Sequence, residues 1–202
     1  MIAIIDYGMG NLRSVEKAFA KLGSPVTITR DTQIISRAAK VVLPGVGAFG
    51  DCMHNLRQYQ LVEVIKDVID RKTPFLGICL GLQLLFEGSE EDQGVEGLGI
   101  LSGTVKRIQA PGLKVPHMGW NSLDLLSPSP LLENLPSNPY VYFVHSYHAV
   151  PERPDIITAS VEYGGCVTAA VGQGNVQAMQ FHPEKSGAVG MKILQNFKEL
   201  SS

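Results

Sequence analysis

A cysteine at position 79 has the setting that nucleophilic chemistry requires. It lies in GICLG at 77–81, after an apolar run and before a helical pattern. Such a strand-turn-helix context, called a nucleophile elbow, exposes a nucleophile at the carboxyl end of a sheet, and the flanking glycines permit the tight turn. A helix N-terminus also favours the thiolate form of a cysteine placed there. We therefore predict that Cys79 is a nucleophile rather than a buried, inert thiol.

A histidine and a glutamate could complete a triad with this cysteine. A thiol nucleophile needs a base that takes its proton and later returns one to the leaving amine, and the base needs a third group to fix its tautomer. His182 ends a predicted strand and Glu184 follows two residues later. Residues i and i+2 of extended backbone point to the same side, so the carboxylate can reach the imidazole. Alone, this pattern would favour a surface ion pair. Together with a cysteine in a nucleophile elbow, it indicates a catalytic triad.

The other four histidines are weaker candidates for the base, because none has a carboxylate two residues further on. His54 lies in a polar helical stretch, which predicts a surface position. His117 is predicted in a loop. His145 and His148 flank a strand end, where they could line a pocket.

A glycine-rich turn, PGVG at 44–47, follows another predicted strand. Such turns expose backbone N–H groups to anions. A plain connection between strand and helix is the simpler interpretation of this turn by itself. Beside an elbow, however, Val46 or Gly47 could supply the second oxyanion donor, the first being the backbone N–H of Leu80. A further turn, GMG at 8–10, lacks the third glycine of a dinucleotide-binding fingerprint, so we reject that function.

The elements that must position these residues alternate between strands and helices. Four such strands imply an α/β fold with an open, mostly parallel sheet, a flavodoxin-like core flanked by helices. After residue 100, strands and turns dominate and predict additional antiparallel strands. Strands are predicted at 1–6, 25–29, 40–43, 74–78, 140–144 and 176–181, and helices at 12–22, 51–71, 80–86 and 187–200.

Composition narrows the class of protein. The 202 residues are 45% hydrophobic and 18% charged with a net charge of −2, which predicts one globular domain, 1–202, and no nucleic-acid partner. No apolar run is long enough to span a bilayer, and the first residues do not resemble a signal peptide, so we expect a cytoplasmic protein. Three cysteines without a C-x-x-C pair predict neither disulfides nor zinc. Neither Cys52 nor Cys166 sits in an elbow, so both are predicted to be inert, buried thiols.

Together these motifs resemble the class I, or triad, glutamine amidotransferases over nearly the whole chain. The resemblance rests on PGVGAFGD at 44–51, GICLGLQLLFEGSEE at 77–91 and QFHPEKS at 180–186. Within that family the chain is most similar to the glutaminase subunits of imidazole glycerol phosphate synthases. The specific marks are IIDYGMGNLRSV at 4–15, PHMGWN at 116–121, YFVHSYH at 142–148 and the Lys-Ser that follows HPE.

The resemblance implies hydrolysis of L-glutamine through a γ-glutamyl thioester on Cys79, with no cofactor and no metal. It implies that Gln83 and Glu91 hold the polar α-end of the substrate, together with backbone of Ser146 and Tyr147. A carboxylate suits an α-ammonium, and backbone donors suit an α-carboxylate. Alternatively, Glu91 belongs to a solvated acidic run at 90–92.

The resemblance also implies a partner, a separate (β/α)₈-barrel cyclase subunit that receives the ammonia and forms a heterodimer with this chain. Low activity of the isolated subunit is then expected. Trp120 could instead be a core anchor, although a Gly-Trp-Asn loop suits a displayed site and Trp is enriched at interfaces. The candidates for the interface are Asn11, Trp120, Asn121, Tyr142 and Lys185.

Three other functions remain open from the residues alone. The elbow and the H-x-E pattern describe only the ammonia-generating half, so an amidotransferase for another acceptor fits equally well. A non-catalytic docking subunit could keep the same fold, although the intact triad speaks against it. A cysteine peptidase or γ-glutamyl hydrolase on the same elbow is a more remote alternative.

Overall fold

The computed structural model describes residues 1–201. Two single-turn 3-10 helices cover Pro154–Ile156 and Pro183–Lys185. The six α-helices are α1 Leu12–Lys21, α2 Thr32–Ser36, α3 Phe49–Gln58, α4 Val62–Asp70, α5 Leu80–Gln83 and α6 Gly187–Glu199. The strands are β1 Ile2–Ile5, β2 Val26–Thr29, β3 Lys40–Gly45, β4 Phe75–Cys79, β5 Gly88–Ser89, β6 Gly103–Arg107, β7 His117–Ser122, β8 Asp124–Leu125, β9 Tyr140–His145, β10 Tyr147–Pro151, β11 Ile157–Glu162, β12 Cys166–Gln173 and β13 Val176–Met179.

The central sheet has eight strands in the order β2-β1-β3-β4-β13-β12-β11-β8. Its first five strands are parallel, and the last three extend it in antiparallel fashion. The remaining strands form two smaller sheets, β10-β6-β5 and β7-β9. The predicted open, mostly parallel sheet with additional antiparallel strands is therefore confirmed. Since β3, β4 and β13 are parallel neighbours, their carboxyl ends lie side by side at the same end of the sheet.

The helices cover both faces of this sheet, as its continuous apolar strands require. One core contains Phe49 of α3 and Ile65 of α4. The other contains Phe19 of α1 and Phe197 of α6, whose ring centroids are 6.1 Å apart. Burial on both faces fixes the register of the strands that carry the site. No helix within residues 1–201 is long and apolar enough to cross a membrane.

The helical pattern predicted across 51–71 is broken into α3 and α4. Gln60 adopts a left-handed φ of +57° between them, and the N–H of Leu61 donates to the carbonyl of Leu56. These are the features of a helix end, which apolar periodicity does not detect because the same face of both helices is buried.

Two further predictions differ in extent or type. The helix expected from Leu80 to Phe86 is α-helical only to Gln83, after which Leu85 and Phe86 make i→i+3 bonds that tighten the chain. His117 is not in a loop. It begins β7 and lies opposite His145 of β9, a pairing between distant segments that local composition cannot reveal.

Candidate active site

Cys79 lies at the sharp turn between β4 and α5, where the carboxyl ends of the parallel strands lie. Its φ of +56° and ψ of −113° are a strained combination for a residue with a side chain. Only 8% of the residue is exposed. Such strain persists when the surrounding structure over-determines it, and it is the geometry expected of a nucleophile elbow.

The glycines around the elbow are required by close backbone contacts. A Cβ on Gly81 would lie 1.9 Å from the carbonyl oxygen of Leu43 in β3, and a Cβ on Gly45 would lie 2.8 Å from the N of Gly81. A Cβ on Gly77 would lie 2.8 Å from the carbonyl oxygen of Gly81. Strand β3 and the first turn of α5 therefore pack backbone against backbone and hold Cys79 from below.

His182 and Glu184 form a buried pair. Nδ1 of His182 lies 2.9 Å from Oε1 of Glu184, and the two side chains are 3% and 1% exposed. The glutamate reaches the imidazole because Pro183–Lys185 forms a 3-10 turn, not because the segment stays extended as predicted. The carboxylate accepts from Nδ1–H, which leaves Nε2 as the atom available for proton transfer. Within residues 1–201, Nε2 has no hydrogen-bond partner.

The surroundings of His182 favour its charged form. Burial alone would lower the pKa of this imidazole, but the side chains of Cys79 and Glu184 outweigh burial and raise the pKa to about 9. Because Nε2 makes no hydrogen bond, Cys79 influences the imidazole through electrostatic attraction and not through a hydrogen bond. A thiolate beside an imidazolium is thus the electrostatically matched state of this pair.

A pocket of about 560 Å³ opens over Cys79. It brings together most of the residues predicted for the nucleophile, base, oxyanion and substrate roles, although they come from five separate parts of the chain. Glu184 lies behind His182 and does not line this pocket. The lining residues are Val46, Gly47, Cys79, Leu80, Gln83, Glu91, Arg107, Pro116, Val144, His145, Ser146, Tyr147 and His182.

The predicted 44–47 turn begins later than expected, because Pro44 and Gly45 are the last residues of β3, and the segment is anchored from inside the protein. The hydroxyl of Tyr7 donates to the carbonyl of Pro44 at 2.8 Å, and Sγ of Cys52 donates to the carbonyl of Val46 at 3.5 Å. Gly47 has a φ of +103°, which a residue with a side chain would rarely adopt. The loop that carries the candidate oxyanion donors is thus tied to the core at two carbonyls.

The other two cysteines differ in their surroundings. Cys52 is fully buried, as predicted. Burial raises the pKa of its thiol to about 11, so it remains protonated at neutral pH. The prediction for Cys166 is wrong in one respect, because this residue is exposed at the start of β12, beside the Tyr163–Gly165 turn.

Glu91 does not belong to a freely solvated acidic run. Its Oε2 accepts the N–H of Phe49 at 3.0 Å, and the adjacent Asp92 accepts the N–H of Gly50 at 2.7 Å. Both carboxylates therefore cap the N-terminus of α3, where negative charge is favoured. Glu91 also lines the pocket, so the helix holds it in place at the pocket wall.

Gln83 is 4% exposed and makes two hydrogen bonds within the protein. Its Nε2 donates to the carbonyl of Tyr147 at 3.1 Å and to Oε1 of Gln180 at 3.0 Å. Gln180 was not predicted as a site residue, yet its Nε2 lies 3.7 Å from Sγ of Cys79. Its position two residues before His182, on the same side of an extended segment, was the available signal.

Arg107 lines the pocket too and was not predicted, because nothing in its local sequence marks it. Its guanidinium lies 5.9 Å from the centroid of the Tyr147 ring. It therefore adds a positive charge to the side of the pocket formed by Ser146 and Tyr147.

Two buried histidines stand beside the pocket. Nδ1 of His117 lies 3.0 Å from Nε2 of His145, whose own Nδ1 donates to the carbonyl of Tyr147 at 2.8 Å. Burial lowers the pKa of His117 to about 4 and that of His145 to about 3. Both rings are neutral at pH 7, as a donor-to-acceptor chain of imidazoles requires.

The residues predicted for a partner interface fall into two groups. Trp120 is 55% exposed on β7 and packs edge-on against Tyr142 at 6.2 Å between ring centroids, while Nζ of Lys185 lies 5.9 Å from the Tyr142 ring. Asn121 points the other way along β7, and its Nδ2 donates to the carbonyl of Glu162 at 3.0 Å. Asn11 directly precedes α1, and its Oδ1 accepts a hydrogen bond from the hydroxyl of Ser14.

Comparison with solved structures supports this fold. A structure described as a glutamine amidotransferase superposes with a TM-score of 0.75 and 21% identity, covering 98% of both chains. PurLQS from Thermotoga maritima gives a TM-score of 0.75 at 19% identity, covering 98% of this chain and 96% of that chain. At such identities the likeness concerns the fold alone.

Comparison of sequences goes further. Residues 3–200 match the family described as glutamine amidotransferase class-I. Imidazole glycerol phosphate synthase subunit HisH of Syntrophotalea carbinolica is 52% identical, covering 99% of this chain and all of that protein. The protein of the same name from Thermosynechococcus vestitus is 56% identical, covering 98% of this chain and 96% of its own length. The chain therefore belongs to the class-I glutamine amidotransferases and, within them, to the HisH subunits of imidazole glycerol phosphate synthase.

Proposed function

We propose that this protein is the glutaminase subunit of an imidazole glycerol phosphate synthase. It hydrolyses L-glutamine and passes the ammonia to a cyclase subunit, which makes imidazole glycerol phosphate and AICAR in histidine biosynthesis. The observation that carries the proposal is one pocket in which a strained elbow cysteine stands beside a buried histidine–glutamate pair. The similarity to HisH subunits, which extends over nearly the whole chain, supports histidine biosynthesis as the pathway that receives the ammonia.

The first half of the proposed reaction forms a thioester. Nε2 of His182 takes the proton of Cys79, and the sulfur forms a bond to the side-chain carbonyl carbon of glutamine as the carbonyl electron pair moves onto oxygen. His182 then returns its proton to the leaving nitrogen, the C–N bond breaks, and ammonia departs. Glu184 keeps the imidazole in the tautomer that presents Nε2 and stabilises its charged form.

The second half releases glutamate. His182 takes a proton from water, the resulting hydroxide attacks the thioester carbonyl, and the C–S bond breaks with the sulfur reprotonated from His182. In both halves we assign stabilisation of the oxyanion to the backbone N–H of Leu80 and to a donor from Val46 or Gly47. Donors held by the backbone are preorganised and cost little reorganisation during the reaction.

We assign the α-end of glutamine to the opposite side of the pocket. The carboxylate of Glu91, fixed on the α3 N-terminus, suits the α-ammonium, and backbone at Ser146 and Tyr147 suits the α-carboxylate. Gln83 forms part of the same wall. Its two internal hydrogen bonds orient its amide before substrate arrives.

We assign the docking of a separate (β/α)₈-barrel cyclase to the exposed face of the β7-β9 ribbon. Trp120 and Tyr142 are adjacent on it, Nζ of Lys185 lies beside the Tyr142 ring from the neighbouring 3-10 turn, and Met118 is 62% exposed on the same face. Exposed aromatic side chains next to a cation are typical of the energetic centre of an interface. Asn11 and Asn121 are kept as candidates for its rim. Passing ammonia across a sealed interface prevents its protonation in bulk water.

A glutaminase assay with and without the cyclase subunit tests the proposal directly. We expect little glutamate release from the isolated chain and at least about tenfold more when the cyclase and its nucleotide ligand are added, the scale of a typical coupling free energy. Free protein as active as the complex would contradict the dependence on a partner. Failure to form a complex with any cyclase barrel would remove the assignment to histidine synthesis.

The nucleophile is tested by Cys79→Ala in the complex. We expect hydrolysis of glutamine to disappear while turnover of the cyclase on added ammonia persists, because only the ammonia-generating half is lost. Cys166→Ala is the matched control, since this exposed thiol lies outside the pocket. Substantial glutaminase activity in Cys79→Ala would refute the assignment.

A further inference from the structure

A buried amide lies beside the sulfur of Cys79 and is not used in the reaction steps above. Gln180 directly follows β13, whose parallel pairing with β4 aligns Met179 with Ile78. The next position on each strand therefore brings Gln180 beside Cys79. The glutamine is fully buried, and Nε2 of its side chain is 3.7 Å from Sγ.

The orientation of this amide is set by a backbone carbonyl. The carbonyl of Tyr147 can only accept, so the Gln83 atom 3.1 Å from it must be Nε2. The same Nε2 lies 3.0 Å from Gln180, which must therefore present its oxygen there. Reversing either amide would bring two oxygens or two NH₂ groups together. The NH₂ group of Gln180 is thereby directed at Cys79.

A further donor strengthens this arrangement. Nδ1–H of His145 donates to the same Tyr147 carbonyl at 2.8 Å, which engages both of its lone pairs. Three polar side chains and one carbonyl thus form a chain of fixed polarity that ends at the sulfur. In a buried site such hydrogen bonds are stronger than in water, and a donor stabilises an anion more than a neutral group.

We propose that Gln180 is a further catalytic residue of this site: its side-chain N–H donates to Cys79 Sγ, holds the sulfur in place and stabilises the thiolate that attacks glutamine. The inference rests on the proposed glutaminase function. Gln180 exchanges no proton, since the proton of Cys79 goes to His182. Gln180 does not line the pocket, so it acts on the nucleophile and not on the bound substrate.

A second buried glutamine, Gln177, serves as a control for the effect of replacing a buried glutamine that does not contact the sulfur. Gln177 lies on β13, is 4% exposed, and donates from Nε2 to the carbonyl of Gly174 at 3.3 Å. Within residues 1–201 its side chain makes no hydrogen bond to Cys79, and it does not line the pocket. A purely structural role would make Gln177→Met and Gln180→Met behave alike.

The test uses the complex with the cyclase subunit and a Cys166→Ser background, which removes the exposed thiol. Cys52 does not compete near pH 7, because burial raises its pKa to about 11. The rate of Cys79 alkylation by iodoacetamide is measured from pH 6 to 10, roughly the range in which thiols ionise, together with kcat and KM for glutamine.

We expect Gln180→Met to lower the alkylation rate at pH 7 and kcat by about tenfold each, the effect of losing one hydrogen bond to a charged group. KM should stay within about twofold, and the alkylation rate should recover at higher pH as the thiolate forms without the donor. Gln177→Met should retain wild-type values. Gln180→Leu, which also lacks the N–H, provides the same comparison if the methionine variant does not fold.

Wild-type alkylation and kcat in either folded Gln180 variant would overturn the inference. Equal losses in Gln177→Met would do the same, because they would indicate a packing effect. Cys79→Ala separates the two hypotheses. If that variant is inactive while the Gln180 variants match wild type, only the role of Gln180 fails; if it still hydrolyses glutamine, the proposed function fails as well.

Discussion

At the scale of single residues, the charge state of His182 depends on two neighbours that act from different sides. Glu184 bonds Nδ1 at 2.9 Å inside the protein, and Cys79 shares the pocket with the ring. Both favour the imidazolium, and together they overcome the effect of burial, so the pKa is raised to about 9. In the proposed reaction the same ring later returns its proton to the leaving nitrogen, so His182 has to act as both base and acid.

Replacing the carboxylate tests this balance. Glu184→Gln removes the negative charge that stabilises the imidazolium, so the pKa of His182 should fall below about 9. We expect kcat for glutamine to drop by about 100-fold or more, the lower end of what general acid–base catalysis typically contributes. An NMR titration of the His182 ring measures the first effect. Glu63→Gln, at an exposed position of α4, is the control, and an unchanged titration in Glu184→Gln would contradict the role of Glu184.

At the scale of elements, the β7-β9 ribbon has one buried face and one exposed face. Its inner face carries His117 and His145 against the pocket side of the protein. Its outer face leaves Met118 and Trp120 exposed at 62% and 55%. Successive residues of a strand point to opposite faces, so one short ribbon joins the proposed docking surface to the pocket wall.

Truncation of the central aromatic residue tests the outer face. Trp120→Ala should weaken binding to the cyclase by roughly 30-fold or more, the cost of about 2 kcal/mol expected for a central anchor. Leu126, also 55% exposed but outside this ribbon, supplies the control variant Leu126→Ala. Calorimetric titration measures the dissociation constants. Equal affinities for both variants would place the interface elsewhere.

At the scale of the whole molecule, histidines with shifted pKa values make stability depend on pH in opposite directions. His182 has a raised pKa of about 9, so its stabilising contribution is complete below the unfolded value of about 6.5 and is lost as pH rises towards 9. His117 and His145 have lowered pKa values of about 4 and about 3. The unfolded chain therefore binds their protons first, and stability is lost as pH falls below about 6.5.

These signs predict a maximum of stability near pH 6.5. On the acid side, each buried histidine should cost up to about 1.4 kcal/mol per pH unit. Denaturant titrations from pH 4 to 9 measure the slope. His145→Gln should flatten the acid side, whereas His54→Gln on the exposed face of α3 should not. An acid slope that is the same in both variants would show that the buried pair does not contribute.

Much of the candidate site could be predicted from sequence because its signals are local. The elbow at Cys79 needs only a strand, flanking glycines and a helix, and His182 and Glu184 interact within one turn. The parallel sheet follows from alternating apolar runs and helical patterns. Each of these features depends on residues close together in the chain, where backbone sterics and side-chain periodicity determine the outcome.

Other features depended on the tertiary structure because they join distant segments. Gln83 and Gln180 are 97 positions apart, and Gln180 reaches Cys79 across 101 positions. They meet only because β13 inserts beside β4 in one register, which burial of both sheet faces selects. The sequence by itself was enough to predict Cys79 as the nucleophile, and the packing of the sheet decided that the amide of Gln180 faces its sulfur.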